Sequence, residues 1–129
     1  MLKTGILNPQ INALLSRVRH TNTLVIADRG FPFWPQIETI DLALVDNIPT
    51  VLDVLRAIRP NFAIGKAWMA EEFLANNNET TQAAFREALA GILLTYERHV
   101  DFKRRVPQAI GLIRTGDTVQ YANMILESC

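Results

Sequence analysis

The sequence has a single cysteine, Cys129, which is also its last residue. One cysteine cannot form a disulfide within the chain, which favours a reducing compartment such as the cytoplasm. The opening segment MLKTGILNPQINALL lacks the apolar region of a signal peptide because polar residues and a proline interrupt it. No uninterrupted apolar run approaches the ~20 residues that a membrane-spanning helix requires. These absences predict a cytoplasmic protein that is not embedded in a membrane.

The sequence also has no excess of charge of either sign. Its 13 basic and 13 acidic residues give a formal net charge of 0. A phosphate backbone or an anionic membrane is bound through a basic field, which this composition does not provide. Neither nucleic acid nor a membrane is therefore predicted as a partner.

Signatures of cofactor chemistry are missing as well. The two histidines, His20 and His99, lie far apart in the chain and give no local metal-ligand spacing. The glycines of GLIRTGD come without the lysine and serine of a phosphate-binding loop, and no GxSxG nucleophile motif occurs. We therefore expect no metal and no organic cofactor. Proton transfer by ordinary side chains is the chemistry that remains.

The 129 residues and their 49% hydrophobic content predict one globular domain, spanning residues 1–129. Asn8 followed by Pro9 is typical of a helix start, and the run TLVIA is typical of a strand buried on both faces. The pattern predicts helices over 9–19, 51–58, 76–90 and 100–106. It predicts strands over 23–27, 39–46, 62–70 and 91–97, a further strand within QAIGLIR before a turn at Gly116, and a last extended segment, YANMILES. Alternating strands and helices predict an α/β fold, a three-layer α/β/α domain with a mixed, largely parallel sheet.

Polar residues at strand ends are the candidates for chemistry. Asp28 ends the first predicted strand and His99 closely follows another, and pockets of open α/β sheets form beyond the carboxyl ends of strands. His20 lies at a helix-to-strand junction, from which it can reach another face or a neighbouring subunit. Imidazole exchanges protons near pH 7, and a carboxylate can fix its tautomer.

Each of these residues also has an ordinary structural interpretation. A histidine is favoured at a helix C-terminus by the dipole, and aspartate often ends a strand and begins a turn. Lys103 is typical of a solvated face, while Tyr121 and Asn123 are compatible with core and turn positions. The residues taken singly leave both interpretations open.

The order of several motifs resembles that of the D-ribose pyranase family, along essentially the whole chain. The motifs are GILN at 5–8, HTNTLVIAD at 20–28, IDLAL at 40–44, HVDFK at 99–103, and IRTGD with YANMIL between 113 and 126.

This resemblance implies an isomerase that interconverts the pyranose and furanose forms of a free monosaccharide such as D-ribose without a cofactor. It implies a ring-like homo-oligomer, such as a decamer or octamer, with active sites between subunits. His20 takes the role of catalytic proton donor. The implied sugar ligands are Asp28, His99, Lys103, Tyr121 and Asn123.

The identity of the sugar is left open by two features. Arg29 is a long cation where the family usually has a small residue, and Phe31-Pro32 is similar to the related L-fucose mutarotase branch. His99 and IRTG resemble the ribose branch. The alternatives are a fucose-type mutarotase, a non-catalytic sugar-binding or transport-accessory protein, and a structural oligomer whose pocket is filled by Arg29 and the aromatic residues.

Overall fold

The computed structural model describes residues 1–129. The helices are α1 (Pro9–Arg17), α2 (Val51–Ile58), α3 (Glu71–Asn76), α4 (Glu79–Ala88) and α5 (His99–Arg105), with 3-10 turns at Arg59–Asn61 and Val106–Gln108. The strands are β1 (Thr23–Ala27), β2 (Glu38–Asp41), β3 (Ile64–Ala70), β4 (Leu93–Glu97), β5 (Gly111–Arg114) and β6 (Met124–Ser128). None of the helices is both long and apolar enough to cross a membrane.

All six strands form one sheet in the order β2-β5-β1-β6-β3-β4. Strand β6 runs antiparallel to its neighbours β1 and β3, and the other neighbouring pairs are parallel. The predicted mixed, largely parallel sheet is therefore confirmed.

Apolar side chains cover both faces of this sheet. The larger core cluster includes Leu24 and Ile26 of β1 together with buried residues of α1 to α4. The smaller cluster on the other face includes Val25 and Ala27 of β1 and Phe102 of α5. This arrangement agrees with the predicted three-layer α/β/α architecture, and strand β1 is buried on both sides as its sequence indicates.

Local capping signals explain the helices that the sequence predicts well. Thr50 and Asp53 form a capping box at the start of α2, where each side chain accepts the other residue's backbone N–H. The Asn8 side chain accepts the Ile11 N–H at the start of α1. Helix α1 ends at Arg17, two residues earlier than predicted, because Val18 has an extended backbone.

The predicted strand 39–46 is too long, since β2 ends at Asp41. Beyond it, the Leu44 N–H donates to the carbonyl of Ile48 at 3.0 Å, and the Ile48 N–H donates to Val45 at 3.1 Å. Leu42 still donates its N–H to the Arg114 carbonyl of β5 at 2.9 Å, and the chain then folds back in a turn over residues 44–48.

The predicted helix 76–90 corresponds to α4, which is shorter than predicted, and the preceding helix α3 was not predicted. Asn77 between them is extended, and its side chain donates to the carbonyls of Phe73 at 2.8 Å and Gln120 at 2.9 Å. Asn78 then caps α4 by accepting the Thr81 N–H. The predicted bounds of β1 and α2 match the structure. The other predicted elements differ from the observed ones by a few residues at their ends, where tertiary contacts decide the boundary.

Candidate functional site

Five parallel strands end, and β6 begins, along one side of the sheet, which we call the carboxyl edge. Asp28 directly follows β1, His99 lies two residues beyond β4, and Asn123 immediately precedes β6. The reversed direction of β6 therefore places Asn123 beside Asp28, although the two residues are far apart in the chain.

Asp28 and Asn123 bond to each other through both backbone and side chain. The Asp28 N–H donates to Asn123 Oδ1 at 2.7 Å, and Asn123 Nδ2 donates to Asp28 Oδ2 at 3.1 Å. Asp28 Oδ1 also accepts the N–H of Gly30 at 2.9 Å. Asn123 is 3% exposed, so these bonds hold the Asp28 carboxylate in a defined orientation.

Burial raises the pKa of the Asp28 carboxyl above its ordinary value. Hydrogen bonds from Gly30, Asn123 and Phe31 act in the opposite direction, and the negative charge of Asp117 adds to the increase. A raised pKa makes this carboxylate a better proton acceptor than an exposed aspartate.

The imidazole of His99 lies among three aromatic rings. The ring of Tyr121 is 5.0 Å away and nearly perpendicular to it, at 86°. Phe102 lies 5.9 Å away in a stacked arrangement, and Phe31 lies 6.2 Å away. These contacts fix the imidazole plane.

His99 Nε2 is buried and has no hydrogen-bond partner within the chain. Burial and the positive charge of Lys103 lower the pKa of His99, while the charges of Glu72 and Asp28 raise it by smaller amounts. His99 is therefore neutral at pH 7, and its unpaired Nε2 is available to a ligand that supplies a hydroxyl group.

Tyr121 and Lys103 complete this group of residues. Tyr121 has a positive φ of 56°, an unusual conformation for a residue with a side chain, in the turn that leads into β6. Lys103 lies one helical turn after His99 on α5 and forms no ion pair. The structure thus brings five sequence-predicted residues to the carboxyl edge: Asp28, His99, Lys103, Tyr121 and Asn123.

His20 lies at the opposite edge of the sheet. Its neighbour Thr21 donates a backbone hydrogen bond to Ser128 at the far end of β6, at 2.9 Å. Seven residues separate His20 from Asp28, and the five that form β1 span roughly 16 Å at the usual rise per residue. His20 is exposed, and within one chain it does not join the other candidates.

Arg114, which is not among the predicted site residues, braces the carboxyl edge. Its guanidinium donates to the Arg29 carbonyl at 2.9 and 3.1 Å and to the Asp41 carboxylate at 3.0 and 3.1 Å. It thereby ties together the ends of β1, β2 and β5. The only signal for this brace in the sequence is an arginine and an aspartate at the ends of two predicted strands. The sequence does not show that these strands, β2 and β5, are paired.

Asp117 is a second residue that sequence reasoning missed. It is 2% exposed, and its carboxylate accepts the N–H groups of Val51 and Val119, both at 2.8 Å. Its carbonyl accepts the N–H of Arg29 at 3.1 Å. Asp117 therefore anchors the segment after Asp28 to the start of α2.

The Arg29 side chain does not fill the site. Its guanidinium pairs with Asp46 at 2.6 Å and is about half exposed. In the aromatic loop, Phe31 is 8% exposed and packs on Phe102 at 6.1 Å, whereas Phe33 is 75% exposed. The loop thus supplies an apolar wall beside His99.

The arrangement can bind a polar molecule that has several hydroxyl groups. It offers carboxylate oxygens, an amide, a neutral imidazole nitrogen and an ammonium group beside aromatic rings. No group of three or more histidine, cysteine, aspartate or glutamate side chains converges in the chain to hold a metal ion.

Proteins of known sequence and structure resemble this chain over nearly its full length. A D-ribose pyranase from Bacillus cytotoxicus is 40% identical over 128 residues, covering 99% of this chain and 97% of that protein. The structure of Bacillus subtilis RbsD complexed with D-ribose superimposes with a TM-score of 0.92 at 32% identity, covering 99% of this chain and 97% of the other.

A more distant structure shares the fold. The fucose mutarotase from Streptococcus pneumoniae, determined in complex with L-fucose, matches with a TM-score of 0.80 at 21% identity over 94% of this chain and 91% of its own. The sequence model of the RbsD / FucU transport protein family matches residues 1–129. The chain therefore belongs to the RbsD / FucU transport protein family.

Proposed function

We propose that this protein is an isomerase that interconverts the pyranose and furanose forms of free D-ribose by acid–base ring opening, in the cytoplasm and without a cofactor. The observation that supports it most directly is the grouping at the carboxyl edge, where an oriented Asp28 carboxylate lies near the unpartnered Nε2 of His99. The likeness to a D-ribose pyranase at 40% identity and to RbsD bound to D-ribose supports the choice of sugar.

Ring opening requires two proton movements. The anomeric hydroxyl loses its proton, the bond between the anomeric carbon and the ring oxygen breaks, and the ring oxygen takes up a proton. Closure of the open-chain aldehyde through a different hydroxyl then gives the other ring size. Positioned acid–base groups accelerate such a step roughly 10²–10⁴-fold, which lowers the barrier by about 3–5 kcal/mol.

In this mechanism Asp28, His99, Lys103, Tyr121 and Asn123 bind the sugar, and His20 donates the proton. Because His20 lies at the opposite edge of its own sheet, it reaches the sugar only from a second copy of the chain. The proposal thus includes a homo-oligomer whose subunits meet head to tail, so that the His20 edge of one copy approaches the carboxyl edge of the next. Repetition of such a contact forms a ring when the rotation between neighbouring subunits closes after a whole number of copies.

Exchange NMR with free D-ribose tests the reaction. The wild-type protein is expected to accelerate pyranose–furanose exchange, and His20→Asn is expected to reduce this acceleration by about 100-fold while D-ribose binding persists. Asn61→Ala, which changes an exposed residue outside the candidate site, serves as a control with wild-type exchange. Binding without acceleration by the wild-type protein would identify a non-catalytic sugar-binding protein instead.

Subunit mixing tests the intersubunit site. His20→Asn and Asp28→Asn proteins, each inactive alone, are mixed under conditions that allow subunit exchange. Random head-to-tail pairing of the two variants regenerates intact sites at about a quarter of the interfaces. Failure of the mixture to recover exchange activity, or a monomer in light scattering, would contradict this arrangement.

An L-fucose-type mutarotase is the second candidate function. The apolar wall of Phe31, 6.2 Å from His99, favours a sugar that carries a methyl group. Running the exchange experiment in parallel with L-fucose decides between the two sugars, because acceleration of fucose anomer exchange alone would assign the protein to this alternative.

A further inference from the structure

The side chain of Glu72 contacts the backbone of His99. Its Oε2 accepts the backbone N–H of His99 at 2.8 Å. Glu72 lies two residues after β3 and His99 two residues after β4, and these strands pair in parallel with Ala70 opposite Glu97. The register of the sheet therefore delivers the carboxylate to the first residue of α5.

Helix α5 has no cap of its own. The residue at the N-cap position is Arg98, whose side chain cannot accept a hydrogen bond and makes no capping contact. The first N–H groups of a helix require an external acceptor, and a carboxylate is favoured there by the helix dipole. Glu72 of α3 meets this requirement from a different element and thereby links the start of α5 to α3.

The Glu72 carboxylate makes no other hydrogen bond. It takes part in no ion pair, whereas its neighbour Glu71 is exposed and makes no side-chain hydrogen bond. The two adjacent glutamates of α3 thus differ in one respect that matters for the site: only Glu72 contacts His99.

We propose that Glu72 is a positioning residue that holds His99 in place for sugar binding by anchoring its backbone at the start of α5. This role builds on the sugar-binding site proposed above. Displacement of the His99 backbone would move the imidazole away from Tyr121, 5.0 Å away, and from the Phe102 ring on which it stacks. Its unpaired Nε2 would then no longer meet the ligand.

The charge of Glu72 also acts on His99. The charged groups that face the imidazole are Lys103 on its own helix, Glu72 on α3 and Asp28 after β1, with Tyr121 before β6 as a further titratable neighbour. Burial and Lys103 lower the pKa of His99, and the two carboxylates raise it. Removal of the Glu72 charge therefore lowers this pKa further.

Two substitutions separate position from charge. Glu72→Gln keeps an oxygen acceptor for the His99 N–H but loses the charge, and Glu72→Ala loses both. Glu71→Ala is the matched control because it changes the adjacent residue of the same helix. Far-UV circular dichroism checks that each variant is folded, and Glu72→Gln carries the test if Glu72→Ala does not fold.

The first measurement is an NMR titration of the imidazole C–H signals in the full-length protein. The chain has two histidines, so the His99 signal is identified by its loss in His99→Gln. Both Glu72 variants are expected to lower the titration midpoint of His99, and Glu71→Ala is expected to leave it unchanged. A His99 midpoint equal to that of Glu71→Ala in both variants would overturn the proposal.

The second measurement is the KM for D-ribose in the exchange assay. Loss of a charge-assisted hydrogen bond in Glu72→Ala is expected to raise KM about tenfold, with a smaller effect on kcat, and Glu72→Gln is expected to restore most of the affinity. An unchanged KM in Glu72→Ala would contradict the positioning role. Absence of exchange in the wild-type protein would instead refute the proposed function, and the titration would then decide on Glu72 by itself.

Discussion

The side chain of Asn123 is joined to Asp28 by two hydrogen bonds that run in opposite directions. Asn123 Oδ1 accepts the Asp28 N–H, and Asn123 Nδ2 donates to Asp28 Oδ2. One N–H of Asn123 and lone pairs on both Asp28 oxygens remain free. The pair is therefore held rigidly by the protein and keeps the capacity to bind hydroxyl groups.

Replacement of Asn123 by alanine is expected to lower the free energy of unfolding by about 1–3 kcal/mol, because the buried Asp28 N–H loses its acceptor. The pKa of Asp28 is expected to rise further, since the Asn123 hydrogen bond lowers it. Urea denaturation measures the effect on stability, and an NMR titration of the Asp28 carboxyl signal measures the effect on its pKa. In Asn61→Ala, at an exposed position, the free energy of unfolding is expected to change by less than about 0.5 kcal/mol. Equal stability of the two variants would show that the Asp28–Asn123 pair is not a structural link.

The lowered pKa of His99 predicts a pH dependence of stability. In the unfolded chain this histidine titrates near 6.5, and in the folded protein it titrates at a lower pH. Between these values the unfolded state binds the proton and the folded state does not, so the free energy of unfolding falls as the pH falls from 6.5 through the folded pKa. The slope from this one group is at most about 1.4 kcal/mol per pH unit.

Denaturation at a series of pH values, with His99→Gln as the comparison, measures this contribution. The wild-type protein is expected to lose more stability than His99→Gln on acidification through this range. Asp28 titrates in both proteins, so its contribution largely cancels in the difference. Parallel curves for the two proteins would contradict a lowered pKa.

The four hydrogen bonds of Arg114 predict that lysine cannot replace it. Lysine keeps the charge but lacks the planar fork that contacts the Arg29 carbonyl and Asp41 together. The exposed ion pair with Asp41 contributes little by itself, so the loss comes chiefly from the Arg29 carbonyl beside Asp28. Arg114→Lys is expected to raise the KM for D-ribose about three- to tenfold.

Steady-state exchange measurements on Arg114→Lys test this brace, with Arg56→Lys as the control. Arg56 is exposed on α2 and lies outside the carboxyl edge. A wild-type KM in both variants would show that D-ribose binding does not depend on the hydrogen bonds from Arg114 to the Arg29 carbonyl.

Truncation of two phenylalanines is expected to change the free energy of unfolding to very different extents. Phe102 is fully buried and packs against Phe31 and His99, so Phe102→Ala is expected to lower the free energy of unfolding by about 3–5 kcal/mol. Phe33 is 75% exposed, and Phe33→Ala is expected to change it by less than about 0.5 kcal/mol. Thermal and chemical denaturation of Phe102→Ala and Phe33→Ala measure the two changes in stability. A large loss in Phe33→Ala would reveal that an interface in the oligomer covers this ring.

Much of the secondary structure could be predicted because its signals are local. The bounds of β1 follow from a short apolar run, and α2 begins at its capping box and ends before Pro60. Helix α3 was not predicted, because its N-cap residue, Ala70, provides no capping side chain. The end of β2 was also misplaced, since residues 44–48 bond to one another in a turn and the hydrogen bonds with β5 do not continue past Leu42.

The sequence by itself determined the fold class, the family and the types of side chain available for chemistry. Those features depend on composition, on short-range patterns and on the order of motifs, all of which can be read from the sequence alone. Only the tertiary structure decided that Asn123 meets Asp28, that Glu72 contacts His99, and that His20 lies at the opposite edge. The order and direction of the strands bring about all three relationships. Strand order itself follows from the need to bury both faces of the sheet at once, and no short segment of the sequence shows this requirement.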